Sequence, residues 1–271
     1  MPPTGYGTGT LRLLARKVVE LEIVDSVSHK TVRQTLKKYN MTKRKIQYRV
    51  IRPKADAEFV ANMEDVLETY ARPLDPNIPV ICMDEQPVQL VIETHKTIPA
   101  TKGHTRRVDY EYERAGTACV FMFCEPLSGW RQATARKQRT KTDWTHEVAV
   151  LLDGRYAACD KVTLVCDNLN THTRGAFYAT FPPKQVRAYV RRIEFCYTPK
   201  HGSWLNIAEN ELSCLTRQCF HGRRIEELVI LQNEINAWSI ATNDLQRGVD
   251  WPMKIDDARA KMKSVYPKIL L

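Results

Sequence analysis

Twice in this chain a short apolar run drives straight into an aspartate. VICMDE spans Val80 to Glu85, and VTLVCDNLNTH spans Val162 to His172. Runs of four to six β-branched and apolar residues read as buried strands. A buried strand that ends in an acid fixes that acid at one edge of a sheet, here Asp84 and Asp167. A single such ending is an ordinary turn signal. Two of them, with a third carboxylate brought near, would form a site.

The third carboxylate is sought on the helix expected over SWLNIAENELSCLTRQCF, 203–220. There Leu205, Ala208, Leu212, Leu215 and Cys219 recur at helical spacing and form the expected buried stripe. Glu209 lies at the edge of that stripe, whereas Glu211 points well away from it and is expected to face solvent or DNA. Clustered carboxylates raise one another's pKa unless cations neutralise them. Mg²⁺ suits them, because it prefers hard oxygen ligands and retains waters for substrate phosphate.

Elements between these motifs alternate. A connecting helix is expected over 55–76, a second strand in GTACVFMFCEPLSG, 116–129, and a third in WRQATARKQ, 130–138, paired through Ser128-Gly129. Helices follow at TKTDWTHEVAVLLDGRY with Thr142 as cap, at AFYATF and at KQVRAYVRR, with a strand in RIEFCYTP and a last helix over roughly 225–242. Such an order indicates an α/β domain with a mixed sheet and helices on its faces.

Charge separates the N-terminus from the rest. The net charge is +10, and residues 1–60 carry 13 Lys/Arg against 5 Asp/Glu. A basic N-terminus points to a polyanionic partner. LRLLARKVVELEIV has apolar residues at 11, 14, 18 and 21, and SHKTVRQTLKKYN follows with Ser28 as cap and Val32 and Leu36 as seam. Two short helices across a tight turn form a helix-turn-helix pattern, against the alternative of an amphipathic hairpin with solvated lysines. In the DNA-binding reading, Lys30, Arg33, Lys37 and Lys38 form the basic face, with Thr31 and Gln34 near base edges. The extension KRKIQYRVIRPK, with Lys43, Arg44 and Lys45, reads as a wing or an arm along phosphates. Lys200 and His201 precede the Glu209 helix, placed to touch phosphate or to form a solvated loop. The run 131–141 is either a DNA track or a solvated strand edge.

No apolar run approaches the ~18 residues a membrane span needs. MPPTGYGTGT lacks the regions of a secretion signal, and the eight cysteines include no CxxC. A cytoplasmic protein with reduced thiols is expected. Cys214 and Cys219 project to different sides of one helix, which disfavours a zinc site with His221.

VICMDE, LVCDNLNTH and YTPKHGSWLNIAENEL closely resemble the three catalytic blocks of bacterial insertion-sequence transposases of the mariner superfamily, which are DDE recombinases. TLRLLARKVVEL and SHKTVRQTLKK resemble that family's second helix-turn-helix, and DYEYERAGTACVFMFCEPLSGWR extends the likeness across essentially the whole chain. The resemblance implies an RNase H-like α/β fold: a mixed sheet flanked by helices, preceded by a small helix-turn-helix or winged-helix unit. The expected division is 1–54 for that unit, 55–78 for a linker helix and 79–271 for the catalytic domain.

By the family's motif, Asp84, Asp167 and Glu209 correspond to the catalytic triad holding two divalent cations, Mg²⁺ or Mn²⁺. Asn168 and His172 match its neighbouring positions and are expected to support that site or a bound water. The implied activity is cleavage at element ends and strand transfer into target DNA by a homodimer on double-stranded DNA, at the nucleoid. Family members usually begin with a further helix-turn-helix, so the unit that opens at MPPTGYGTGT is expected to be incomplete or to need a partner. The rival reading is a truncated, catalytically silent DNA-binding remnant or repressor. A general nuclease of RNase H type is a third.

Overall fold

The computed structural model describes residues 10–39, 41 and 56–267, and the chain divides into two compact units, 1–51 and 52–271. The expected wing with Lys43, Arg44 and Lys45 lies outside the described residues.

In the first unit α1, Leu11–Glu20, packs on α2, His29–Lys38. Thr10 caps α1, and Ser28 caps α2 as expected, its hydroxyl accepting from the Thr31 N–H at 3.1 Å. Ala15 and Val32 are the buried residues, while Leu14 and Leu21 are 40% and 58% exposed. The seam of α1 therefore passes through Ala15 rather than along 11, 14, 18 and 21. Lys30, Thr31, Arg33, Gln34, Lys37 and Lys38 are all exposed, and α2 carries no acidic residue.

The second unit is built on five strands: β1 (Val80–Glu93), β2 (Tyr112–Glu125), β3 (Trp130–Arg136), β4 (Val162–Asp167) and β5 (Ile193–Thr198). Their order is β3-β2-β1-β4-β5, antiparallel from β3 to β1 and parallel from β1 to β5. This is the expected mixed sheet. Alternation along the strands sends Cys82, Val120, Met122 and Val165 to one face, and Ile81, Met83, Phe121 and Cys166 to the other. Helices α4 (Lys141–Asp153), α5 (Arg174–Tyr178) and α6 (Pro183–Arg192) cover the second face. Helices α3 (Ala57–Ala71), α7 (Ile207–Leu215), α8 (Leu228–Asp244) and α9 (Ile255–Lys261) cover the first. Helix α3 thus lies in the core, burying Phe59, Met63, Val66 and Leu67, where a linker helix was expected.

Three local expectations are corrected. Helix α4 is capped by Thr140 through a capping box with Asp143, not by Thr142. The segment 203–220 is three pieces: a 3₁₀ turn at Ser203–Leu205, α7 capped by Asn206, and a π turn at Thr216–Phe220. The run 131–141 is neither a free basic track nor an open edge. Arg131 is buried, and Arg136 pairs with Glu147 and Asp143. The amides of Asn243 and Gln232 on α8 bond the β3 backbone at Arg131 and Ala135, covering the edge.

All eight cysteines are free thiols, and Cys82, Cys119 and Cys166 are buried as expected. No helix among the described residues is long and apolar enough to cross a membrane.

Candidate active site

Strand β4 pairs with β1 only from Val80 to Cys82, with Cys82 opposite Val165. Continuing that register two residues along each strand sets Asp84 beside Asp167, where the two strands part. Strand β1 does not end there, because β2 remains its partner as far as Glu93. The expected six-residue strand is therefore 14 residues long, and Asp84 lies within it.

Helix α7 is tied to this point by its cap. Asn206 accepts from the Ala208 N–H at 3.1 Å and donates to the Met83 carbonyl at 2.8 Å, one residue before Asp84. Tyr70 donates to the Leu205 carbonyl at 2.8 Å. The turn leading in is tight. Gly202 donates to the Pro199 carbonyl at 2.8 Å, and a Cβ there would lie 2.5 Å from Pro199 Cγ. His201 adopts a left-handed φ of 63° in the same turn. Lys200 and His201 are exposed on it.

Glu209 falls in the first turn of α7 and is exposed, while Leu205, Ala208, Leu212, Leu215 and Cys219 are buried as the helical phase requires. The charges converge at Asp84. Burial pushes its carboxyl up, the Glu85 N–H at 2.8 Å opposes this, and the negative charges of Asp167, Glu85 and Glu209 add to the rise, to about 7. The three carboxylates are hard oxygen donors at one end of the sheet, a donor set that fits Mg²⁺ or Mn²⁺.

Glu211 departs from expectation. It is 2% exposed and forms a two-pronged ion pair with Arg131, at 2.7 and 3.1 Å, joined by Arg247 at 3.1 Å. The side of α7 opposite Glu209 is covered by β3 and the 246–248 segment, so helical phase alone misplaces it in solvent. Gly129 and Gly248 permit that cover, since a Cβ on Gly129 would meet the Gln246 carbonyl carbon at 2.7 Å.

His172 is fully buried between two acids. Its Nδ1 lies 2.5 Å from Asp167 Oδ1, and its Nε2 lies 3.2 Å from Glu85 Oε2. Burial lowers the imidazole pKa, but Asp167 and Glu85 together outweigh it and raise it to about 9. Glu85 was not anticipated from the sequence; its place directly after Asp84 on the opposite face of β1 was the available signal. Asn168 is exposed. Trp204 is 38% exposed and stacks on Trp251 at 6.5 Å.

The family model for DDE superfamily endonucleases matches residues 79–232, from the residue before β1 into α8. Solved structures with a similar fold include the mariner Mos1 paired end complex with Mg, 14% identical over 99% of this chain and 82% of that chain, with a TM-score of 0.55. The Mos1 mariner paired end complex with Mn is 15% identical over 91% of this chain and 75% of that chain, at 0.54. The Mos1 strand transfer complex is 15% identical over 91% and 74%, at 0.53. Comparison with curated proteins gives no match. At such identities the structural likeness is one of fold, and it agrees with the RNase H-like sheet described above. With a matched segment that spans more than half of its length and contains Asp84, Asp167 and Glu209, this chain belongs to the DDE superfamily of endonucleases.

Proposed function

We propose that this endonuclease is a DNA transposase, which cleaves at the ends of its element and joins the freed 3′ ends to target DNA, as a homodimer on double-stranded DNA. The observation that carries this reading is the convergence of the Asp167 and Glu209 charges on Asp84 within a DDE endonuclease. Similar folds occur in Mos1 paired end and strand transfer complexes, which supports a reaction that continues past cutting.

Asp84, Asp167 and Glu209 would hold two divalent cations, Mg²⁺ or Mn²⁺. When bound, such a pair activates the attacking water or 3′-hydroxyl and stabilises the leaving oxygen. The Glu85 N–H orients Asp84, and Asn206 fixes the start of α7 against β1, so that Glu209 stays on the side of the acids. Cleavage and joining are both in-line displacements at a phosphodiester, so one set of acids serves both. Lys200 and His201 at the turn before α7 suit phosphate contact beside the acids, and Asn168 suits support of a bound water. The deciding experiment is a cleavage and strand-transfer assay on DNA carrying the element's own ends, with and without Mg²⁺. Binding without metal-dependent cutting would leave a DNA-binding repressor as the correct reading.

The α2 face is assigned to DNA. Replacing both Arg33 and Lys37 with Ala is expected to weaken binding and to flatten the dependence of log K on log salt, by about 0.9 for each phosphate that is no longer neutralised. Unchanged affinity and slope in a filter-binding titration would remove α2 from the interface.

Metal uptake should depend on pH. With Asp84 held near 7 in the metal-free chain, a cation must displace its proton below that pH. Mn²⁺ affinity without DNA is expected to fall by up to about tenfold per pH unit from 7 to 5, one proton per step. A flat profile across that range would show that Asp84 does not take up the cation.

A further inference from the structure

From the geometry around His172 we propose that Glu85, His172 and Asp167 form a positioning relay: the imidazole donates from both nitrogens, ties up Asp167 Oδ1, and leaves Oδ2 as the oxygen offered to a cation. This inference rests on the assignment of Asp84, Asp167 and Glu209 as the metal-holding acids.

Each ring nitrogen of His172 faces a carboxylate oxygen, at 2.5 Å on the Asp167 side and 3.2 Å on the Glu85 side. Facing oxygens at both positions call for a proton on both nitrogens. The ring is held in place. It lies 5.2 Å from the Trp144 ring at an interplanar angle of 32°, and Tyr197 donates to its backbone carbonyl at 2.8 Å. Asp167 Oδ1 is sealed from solvent, although the Asp167 side chain as a whole is 36% exposed. Its open oxygen is therefore Oδ2. Glu85 is 4% exposed in its side chain, and its Oε2 is likewise sealed.

The alternative is that these three residues are themselves a cation site, since one donor atom from each falls within 4.8 Å of the others. The spacing decides against it. Two ligand atoms at adjacent positions around an ion, each about 2.1 Å from it, stand about 3 Å apart. The 2.5 Å between His172 Nδ1 and Asp167 Oδ1 is shorter, a separation set by a shared proton in a charge-assisted contact. Hydrogen-bonded partners behind metal ligands commonly tune affinity by about 10- to 100-fold. Glu85 thus serves the site twice, through its backbone on Asp84 and its side chain behind His172.

The test is Mn²⁺ binding to the full chain without DNA, read from the electron paramagnetic resonance of free Mn²⁺, with a thermal melt of each metal-free variant. Asp84→Asn should abolish most binding. His172→Ala should weaken affinity about 10- to 100-fold and Glu85→Gln about tenfold, with the number of ions bound unchanged. His172→Asn, whose amide nitrogen takes the place of Nδ1, should recover most of the loss. Parental affinity in both His172→Ala and Glu85→Gln, whatever their melting temperatures, would overturn the relay and leave a purely structural histidine. Loss of one bound ion in Glu85→Gln with Asp84→Asn still binding would also overturn it, making the cluster a site in its own right. If Asp84→Asn binds like the parent and Glu85→Gln does too, the triad assignment itself fails and takes the relay with it.

Discussion

Asp84→Asn, Asp167→Asn and Glu209→Gln are each expected to lower metal-dependent DNA cleavage by at least about a hundredfold to a thousandfold, while DNA affinity stays near the parental value. Each change keeps the shape of the side chain and removes the charge a hard cation requires. Metal-borne stabilisation of the developing charge is worth several kcal/mol, and each ~1.4 kcal/mol is tenfold in rate. Binding should survive because the residues assigned to phosphate contact lie elsewhere, on α2 and on the turn at Lys200 and His201. Single-turnover cleavage beside a binding titration on the same DNA separates the two. A variant that cuts at the parental rate would strike that residue from the triad.

Glu211→Gln should cost stability rather than chemistry, on the order of 3–5 kcal/mol. The Glu211 carboxylate meets Arg131, whose side chain is 2% exposed, and the Arg247 guanidinium, which is 43% exposed. Removing the negative charge leaves Arg131 buried with no counter-charge, and burial without one is far costlier than the pair is stabilising. Arg247 reaches water and can rehydrate. Replacing both partners with apolar residues, Arg131→Met with Glu211→Leu, should therefore recover much of the loss. Urea unfolding of the single and double variants measures this. A single variant within about 1 kcal/mol of the parent, the usual range of an exposed pair, would show that the buried pair contributes little. Cleavage by whatever fraction remains folded should stay near parental, which distinguishes Glu211 from Glu209 two positions away.

Those two glutamates show where sequence reading ends. The helical period placed Leu205, Ala208, Leu212 and Leu215 on one face and Glu209 at its rim, and the structure keeps all of that. Period describes a helix from within, however, and cannot say what covers its other sides. Arg131, 80 positions earlier, and Arg247, 36 later, close over Glu211 only because β3 and the 246–248 segment fold back onto α7.

The same division holds across the chain. Apolar runs and their breakers place all five strands, and local capping chemistry starts α2 at Ser28, because these choices are settled by near neighbours. The length of β1 was not legible, since its extension from Gln86 to Glu93 depends on pairing with a strand some 30 positions away. Two aspartates at strand ends were evident from VICMDE and VTLVCD; their adjacency comes from the parallel register of β1 and β4. Glu85 reads locally as one more polar residue after an acid. Only the loop carrying His172 across to it, sealed beneath Trp144, makes it a partner of Asp167. Burial and charge pairing between distant segments are properties of the packed chain, and no local pattern contains them.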